Sequence, residues 1–271
     1  MAAHHARRPI GSSPVVFMAH LTLDPVEPPR GRPGTWGTAL LRLFTQTAEV
    51  VAVRPLGPRC RHITLDAGPA ATAKWMPGDK LQIAVAGLKA RTFTPFTWDF
   101  APGRLELLAH LHGEAPAADW ARTVVPGATC QIIGPRRSVP LDELDRPTLL
   151  FGDETSFALA LAMRATPRRW TGVRFVFEVN DLAESRDVLR QLSLPDGDQI
   201  DLIERRADGS HRPDIAAALL RELDAQAALQ FVLTGHAATL QHLTRALKQR
   251  GVAASRLRVK AYWATGKTGL D

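Results

Sequence analysis

Cysteine is nearly missing from this sequence: Cys60 and Cys130 are the only two in 271 residues, far apart and in no CxxC pair. A disulfide scaffold or a cysteine zinc site is therefore not expected, and both thiols read as half-buried strand residues. Tyrosine occurs once, and aromatic residues make up only 6%. A nucleic-acid surface with stacked aromatics has little support, since the net charge of +7 is spread out rather than gathered in a run. No nucleic-acid partner is expected. No apolar run approaches the ~20 residues of a bilayer-spanning helix, so no membrane insertion is expected either. The opening residues MAAHHARRPIGSSP lack the apolar stretch of a secretory signal, which points to a cytoplasmic protein. The dinucleotide fingerprint G-x-G-x-x-G is absent too.

What is present is a globular composition, with 45% apolar and 23% charged residues. The positive excess favours anionic partners such as nucleotides or acidic small molecules. Residues 1–36 are rich in Pro, Arg and Gly and read as a tail, with a short helix open over "TALLRLFTQ". From about 48 to 140 short strands alternate with Gly and Pro. "AEVVAVRPLG" pairs with "CRHITLDAG", "DKLQIAVAG" sets Leu81, Ile83 and Val85 on one face, and "RLELLAHLHG" does so with Leu105, Leu107, Ala109 and Leu111. "ATCQIIGP" follows a short helix at "APAADWARTV". Six or so such strands predict a closed barrel or sandwich. From about 146, apolar runs of strand length ("PTLLFG", "VRFVFEV", "QIDLIER", "LQFVLTG", "RLRVKAYW") alternate with helical patterns at "SFALALAMRA", "PDIAAALLRELDAQAA" and "HAATLQHLTRALKQRG". That alternation predicts a parallel sheet covered on both faces, with ligands beyond the carboxyl ends of its strands. An antiparallel β-barrel followed by an α/β parallel sheet is the ferredoxin-reductase-like layout. The expected divisions are 1–45 for the tail and helix, 46–145 for the barrel and 146–271 for the α/β domain.

Three segments carry chemistry. In "KARTFTPFTWD", Arg91, Phe93 and Thr94 supply a cation, an apolar ring and a hydroxyl within four residues, the set a flavin site needs. An ordinary exposed β-edge has the same composition. In "HLHGEAPAADWA", His110 and His112 share a strand face, and a turn opens a helix whose first amides suit an anion. No third ligand stands near these histidines, so no metal site is expected. In "LLFGDETSFALALAM" a strand ends in Gly152 and a helix begins near Ser156, the place of a nucleotide loop. Asp153 and Glu154 make it acidic, and helix capping is the competing reading.

These segments together resemble the siderophore-interacting proteins, flavin-dependent ferric-siderophore reductases of the ferredoxin-reductase-like superfamily. The family's RxYTxR, HG…GPASxWA, GP-rich turn, GDET and YWRxG stand here as "RTFTPF", "HGEAPAADWA", "GPRRS", "GDETS" and "YWATG", in order, over about 48 to 266. The resemblance implies FAD as cofactor on the barrel and NADPH or NADH as electron donor on the α/β domain. It implies that Phe93 packs on the flavin ring, Thr94 bonds the ring near its reactive nitrogen, and Arg91 reaches the diphosphate. His112 would sit beside the FAD, and the turn from Gly113 through Ala117 and Ala118 to Trp120 would hold its phosphates. Gly152, Asp153, Glu154 and Thr155 would take the dinucleotide, and Tyr262 and Trp263 would end the last strand near both rings. The partner would be a ferric siderophore, drawn by Lys89, Arg136, Arg137, Lys260 and Lys267.

The departures are specific. The second Arg of the flavin motif is Phe96, the motif's Tyr is Phe93, and the Gly and Ser of GPAS are Ala115 and Ala118. The family's GE in the penultimate strand–helix turn is Gly235–His236, and the Arg after YW is Ala264. Each lost hydrogen bond would weaken flavin binding by about 1 kcal/mol. Another flavin-dependent reductase, or a non-enzymatic homologue with weakened flavin binding, therefore stays open. Arg205 and Arg206 end a strand where a 2′-phosphate would lie, or are ordinary strand-end charges, so NADPH versus NADH stays open as well.

Overall fold

The computed structural model describes residues 45–68, 75–86, 89–99, 101–113, 116–165, 172–194 and 199–266. The tail, nearly all of the "TALLRLFTQ" segment, Ala115 and Lys267 lie outside them, as does the Lys89 side chain. The first half is a seven-stranded antiparallel sheet. β1 (Gln46–Gly57) and β2 (Cys60–Asp66) form a hairpin. β3 (Lys80–Ala86), β4 (Lys89–Phe93), β5 (Pro95–Asp99), β6 (Arg104–His110) and β7 (Thr129–Arg136) complete the order β4-β3-β7-β1-β2-β6-β5. Burial alternates along β6, with Leu105, Leu107 and Ala109 inside, as a half-buried strand requires. The two edge strands, β4 and β5, are consecutive in the chain and separated only by Thr94. The sheet must therefore curl to bring its edges together, yet among the described residues no ladder closes the ring. The expectation of a barrel holds in this open form, with seven strands rather than six. Helix α1 (Pro116–Thr123) packs Ala121 into the same core.

The second half is a five-stranded parallel sheet in the order β10-β9-β8-β11-β12. Its strands are β8 (Thr148–Gly152), β9 (Val173–Val179), β10 (Ile200–Glu204), β11 (Gln230–His236) and β12 (Leu257–Trp263). Four helices alternate with them: α2 (Phe157–Ala165), α3 (Leu182–Gln191), α4 (Arg212–Ala225) and α5 (Ala237–Gln249). β8 is buried at every residue, as a central parallel strand covered on both faces should be. The chain leaves β8 toward β9 and β10, then returns to place β11 on its other side. The carboxyl ends of β8 and β11 thus flank the switch point where such sheets bind ligands. Helix α3 was not expected from the sequence. Its apolar residues are few, and it starts on Asp181, whose side chain accepts from the Glu184 amide.

The halves pack through a mixed seam within one compact unit. Phe96, 7% exposed, sits between Ala158 and Ala162 of α2, with Leu108 and Leu161 alongside. The residue expected to mark a lost flavin contact therefore holds the two sheets together, its ring 5.3 Å from His62. Arg59 reaches α3, with its amide 2.7 Å and its Nε 2.8 Å from the Glu184 carboxylate. Gln191 donates to the Leu56 carbonyl at 2.8 Å.

Candidate functional site

The corner between β4 and β5 meets the end of β12. Thr94 lies between the strands, and its side chain interacts with the Tyr262 hydroxyl at the end of β12. Burial pushes the Tyr262 phenol well above its ordinary range, so it stays protonated. Arg91 and Phe93, two apart on β4, are half-buried. Arg91 uses one N–H on its neighbour's carbonyl, Ala90, at 2.8 Å. The Phe93 ring meets Trp120 of α1 edge-on, with centroids 5.6 Å apart at 61°. In the same turn and helix, His112 and Gly113 are exposed, Ala117 is half-buried and Ala118 is buried. Gly113 adopts φ +58, and its carbonyl accepts from Arg122, which also pairs with Asp119 at 2.7 Å.

A row of rings joins this corner to the parallel sheet. His110 stacks on His112 at 5.8 Å, His112 lies 5.9 Å from Trp263, and Trp263 lies 4.4 Å from His236. Burial lowers the His110 pKa against the pull of Glu154 and Asp153, and it lowers that of His236 with help from Arg212 and Arg205. Both imidazoles are thus biased toward the neutral form.

Beneath the row lies a buried ionic knot. Asp153 is fully buried; its Oδ1 accepts from the Thr155 amide and hydroxyl, capping the turn Glu154–Ser156. Its Oδ2 accepts from the Trp263 indole Nε1 at 2.7 Å. Glu154 accepts from the Asn180 amide at 2.6 Å and from Arg205 at 3.1 Å. Burial works to raise the Glu154 pKa, but the Arg205 charge prevails and holds it below the usual range. Glu178, fully buried on β9, accepts from Thr239 at 3.0 Å and pairs with His211 at 2.8 Å. The Arg206 amide donates to His211 Nδ1, so the imidazole proton sits on Nε2 and points at Glu178. Burial nevertheless pushes the Glu178 carboxyl up. Arg205 also stands 5.6 Å over the Trp263 ring. Close packing fixes the knot: Gly235 has φ +110, and a β-carbon there would lie 2.6 Å from Asp153 Oδ2. Gly152 is equally closed, because a β-carbon would strike Ser156.

The structure therefore brings Phe93, Thr94, His112, Tyr262 and Trp263 to one place. The acidic residues of the "GDETS" loop turn inward, and of its first four residues only Thr155 keeps appreciable exposure. Arg205 faces three carboxylates and is not free for a 2′-phosphate, while Arg206 pairs with Asp214 at 3.4 Å. Of the cations expected around the chelate, Arg137 is taken by Asp142 and Glu143, Arg136 is exposed, and Lys260 lies on β12 away from any ion pair among the described residues. Sequence reasoning missed Glu178 and His211. A glutamate inside the apolar run "VRFVFEV" was the available signal, because unpaired charges are rarely fully buried. Among the described residues, no group of three or more His, Cys, Asp or Glu is arranged to hold a metal, and no helix is long and apolar enough to cross a membrane.

Two family models match the chain, one described as a siderophore-interacting FAD-binding domain over residues 63–139 and one as siderophore-interacting protein over 146–266. Among solved structures, the chain is similar to a siderophore-interacting protein from Acinetobacter baumannii, with TM-score 0.68 and 15% identity over 83% of this chain and 92% of that one. It is similar to a siderophore utilization protein from T. fusca, with TM-score 0.65 and 26% identity over 84% and 95%. A ferredoxin reductase of carbazole 1,9a-dioxygenase aligns with TM-score 0.63 and 20% identity over 81% and 69%. No curated protein matches the chain.

Proposed function

We propose, from the premise that the chain belongs to the siderophore-interacting protein family, that it is an FAD-dependent ferric-siderophore reductase fed by NADPH or NADH in the cytoplasm. The coarser statement, a flavin oxidoreductase on a ferredoxin-reductase-like fold, is what the family models and the neighbouring structures support. The observation that carries the finer one is the stacking of His112, in the turn after β6, on Trp263 at the end of β12, with ring centroids 5.9 Å apart. It joins the antiparallel half to the end of the parallel sheet beside the flavin-motif corner, so that two redox rings held by the two halves would meet there.

The residues present suit FAD. A tricyclic ring needs an apolar face, an edge partner and a cation for its diphosphate, and Phe93 backed by Trp120, Thr94 and Arg91 offer one of each on a single corner. When bound, FAD would supply the conversion of a two-electron hydride into single electrons. The chain's own residues do the rest. Arg91 holds negative charge with the guanidinium N–H groups not given to Ala90. Phe93, braced by Trp120, offers a flat wall. Thr94, oriented by Tyr262, places a hydroxyl at the ring edge. His112 and the exposed turn at Gly113 lie where phosphates would pass, with the Gly113 carbonyl drawn aside by Arg122. Trp263, held by Asp153, excludes water from the join between the halves. Iron enters as substrate: Fe(III) in a siderophore accepts one electron, and hard oxygen donors hold the resulting Fe(II) weakly. Arg136, exposed and cationic, is suited to draw in an anionic chelate.

The test is a visible spectrum of the purified protein before and after anaerobic NADPH, followed by rates on ferric siderophores, free flavin and quinones. A yellow protein that bleaches and then turns over ferric siderophore fastest supports the proposal. Faster turnover of the iron-free acceptors assigns a different reductase. Protein that stays colourless after incubation with FAD and desalting removes the enzymatic reading.

A further inference from the structure

The carboxyl ends of β11 and β12 and the first turns of α4 and α5 border a groove of about 610 Å³. Arg212, His236, Ala237, Lys260 and Thr265 are among its walls, and among the described residues no carboxylate lines it. Most arginines near the sheet face an acid, including Arg174, Arg205, Arg206 and Arg250. Arg212 and Lys260 have no partner among the described residues, and the Arg212 Nε is buried without a hydrogen bond. The guanidinium occupies space left by Gly209, where a β-carbon would lie 2.7 Å from Arg212 Nη1. A buried guanidinium N–H left unpaired is costly and calls for an acceptor.

Two further features have the same sign. The 13-residue α5 begins in the groove without a side-chain cap, so its first amides and the positive end of its dipole face the same space. Its N-cap is His236, which adds no negative charge to the turn. The loop after β8, by contrast, turns the buried carboxylates of Asp153 and Glu154 onto Arg205 and offers an anion no unpaired cation among the described residues.

We infer that this groove receives a phosphate group of the electron-donating dinucleotide, held by Arg212, Lys260 and the first amides of α5. The inference rests on the reading of the α/β half as the dinucleotide's half, and it moves the phosphate from the β8 loop to the β11 loop. The phosphate is either the 2′-phosphate of NADPH or the diphosphate common to both nucleotides. His236 borders the groove on one side and lies 4.4 Å from Trp263 on the other, so a dinucleotide anchored here extends toward the Thr94 corner.

The test uses the full chain with FAD bound, as wild type, Arg212→Gln, Lys260→Gln, the double variant, and His236→Glu, which sets a carboxylate in the groove and should weaken phosphate binding as the other variants do. Affinities for the redox-inert probes 2′,5′-ADP and ADP-ribose are measured by calorimetry, and KM is measured for NADPH and NADH. FAD content and thermal midpoint report folding, and Lys260→Gln, on the edge strand β12, keeps the test open if the Arg212 variant misfolds. Loss of one charged hydrogen bond to phosphate should weaken binding roughly tenfold to a hundredfold. Weakening confined to 2′,5′-ADP and NADPH supports the inference through the 2′-phosphate. Weakening shared with ADP-ribose and NADH supports it through the diphosphate. Folded variants with all four values unchanged overturn it and leave the reductase reading intact. Wild-type protein that binds none of the four removes that reading, and this inference with it.

Discussion

Replacing Arg205 by methionine should destabilise the protein strongly, and most at neutral pH. Its guanidinium lies 3.1 Å from Glu154, 3.8 Å from Glu178 and 3.9 Å from Asp153, and the three carboxylate side chains are 8%, 0% and 1% exposed. It also donates to Asn180 Oδ1 at 2.7 Å and to the Glu178 carbonyl at 3.1 Å. Methionine keeps the bulk but leaves three acids facing one another. Removing one partner of a buried pair costs about 3–5 kcal/mol. For a unit of this size each kcal/mol moves Tm by about 2–4 °C, so the midpoint should fall by roughly 6–20 °C near pH 7. The pH dependence has a definite sign. Glu154, with its folded pKa lowered, contributes stability that is present above its unfolded pKa and is lost as pH falls through the folded value. Without Arg205 the stranded acids take up protons sooner. The gap between wild type and variant should therefore narrow from about pH 7 to about pH 4, through the ordinary carboxylate range. Calorimetric scans across that range decide the matter. A loss below about 1 kcal/mol near neutrality, or a gap that widens on acidification, contradicts the assignment of Arg205 as counter-charge to the knot.

Three other outcomes are expected. Asp153→Asn keeps an oxygen for Thr155 but turns an amide toward the Trp263 indole. Flavin reduction in stopped flow should slow about tenfold, or about 1.4 kcal/mol, and no further when Trp263→Phe is added; multiplying losses would show that Asp153 does not act through the indole. Phe96→Ala should cost about 3–5 kcal/mol in urea unfolding, and a loss under about 1 kcal/mol would mean the seam relaxes around it. Burial pushes the Cys60 and Cys130 thiols up to about 12 and about 11, so a thiol reagent near neutral pH should label neither until the chain is unfolded. Rapid labelling of the native protein would place one of them at the surface.

The sheets were legible because strand periodicity and helix periodicity differ, and each held over whole segments. "RLELLAHLHG" alternates cleanly, and "PTLLFG" is apolar throughout. Helix α3 was illegible for the opposite reason, since Arg186, Asp187, Arg190 and Gln191 crowd its exposed face and only Ser185, Val188 and Leu189 are buried. Within the candidate site, neighbours in sequence were read well. Arg91, Phe93 and Thr94 stand on one strand and its corner. Pairings across long separations carried no local pattern: Trp263 with Asp153, Tyr262 with Thr94, Glu178 with His211. The two acids of "GDETS" looked like surface features of a loop because nothing nearby in sequence announces Arg205, which arrives from another strand.

The seam at Phe96, with Arg59 reaching across to α3, bears on how such proteins can be recombined. Neither half presents a finished surface to its mate. A chimera that joins this barrel to a relative's α/β half would set Phe96 against foreign side chains and leave Arg59 facing whatever stands at Glu184. Shuffling at the sheet boundary should therefore yield insoluble products unless these contact residues travel together, and interface compatibility, more than linker length, would decide which hybrids can be made.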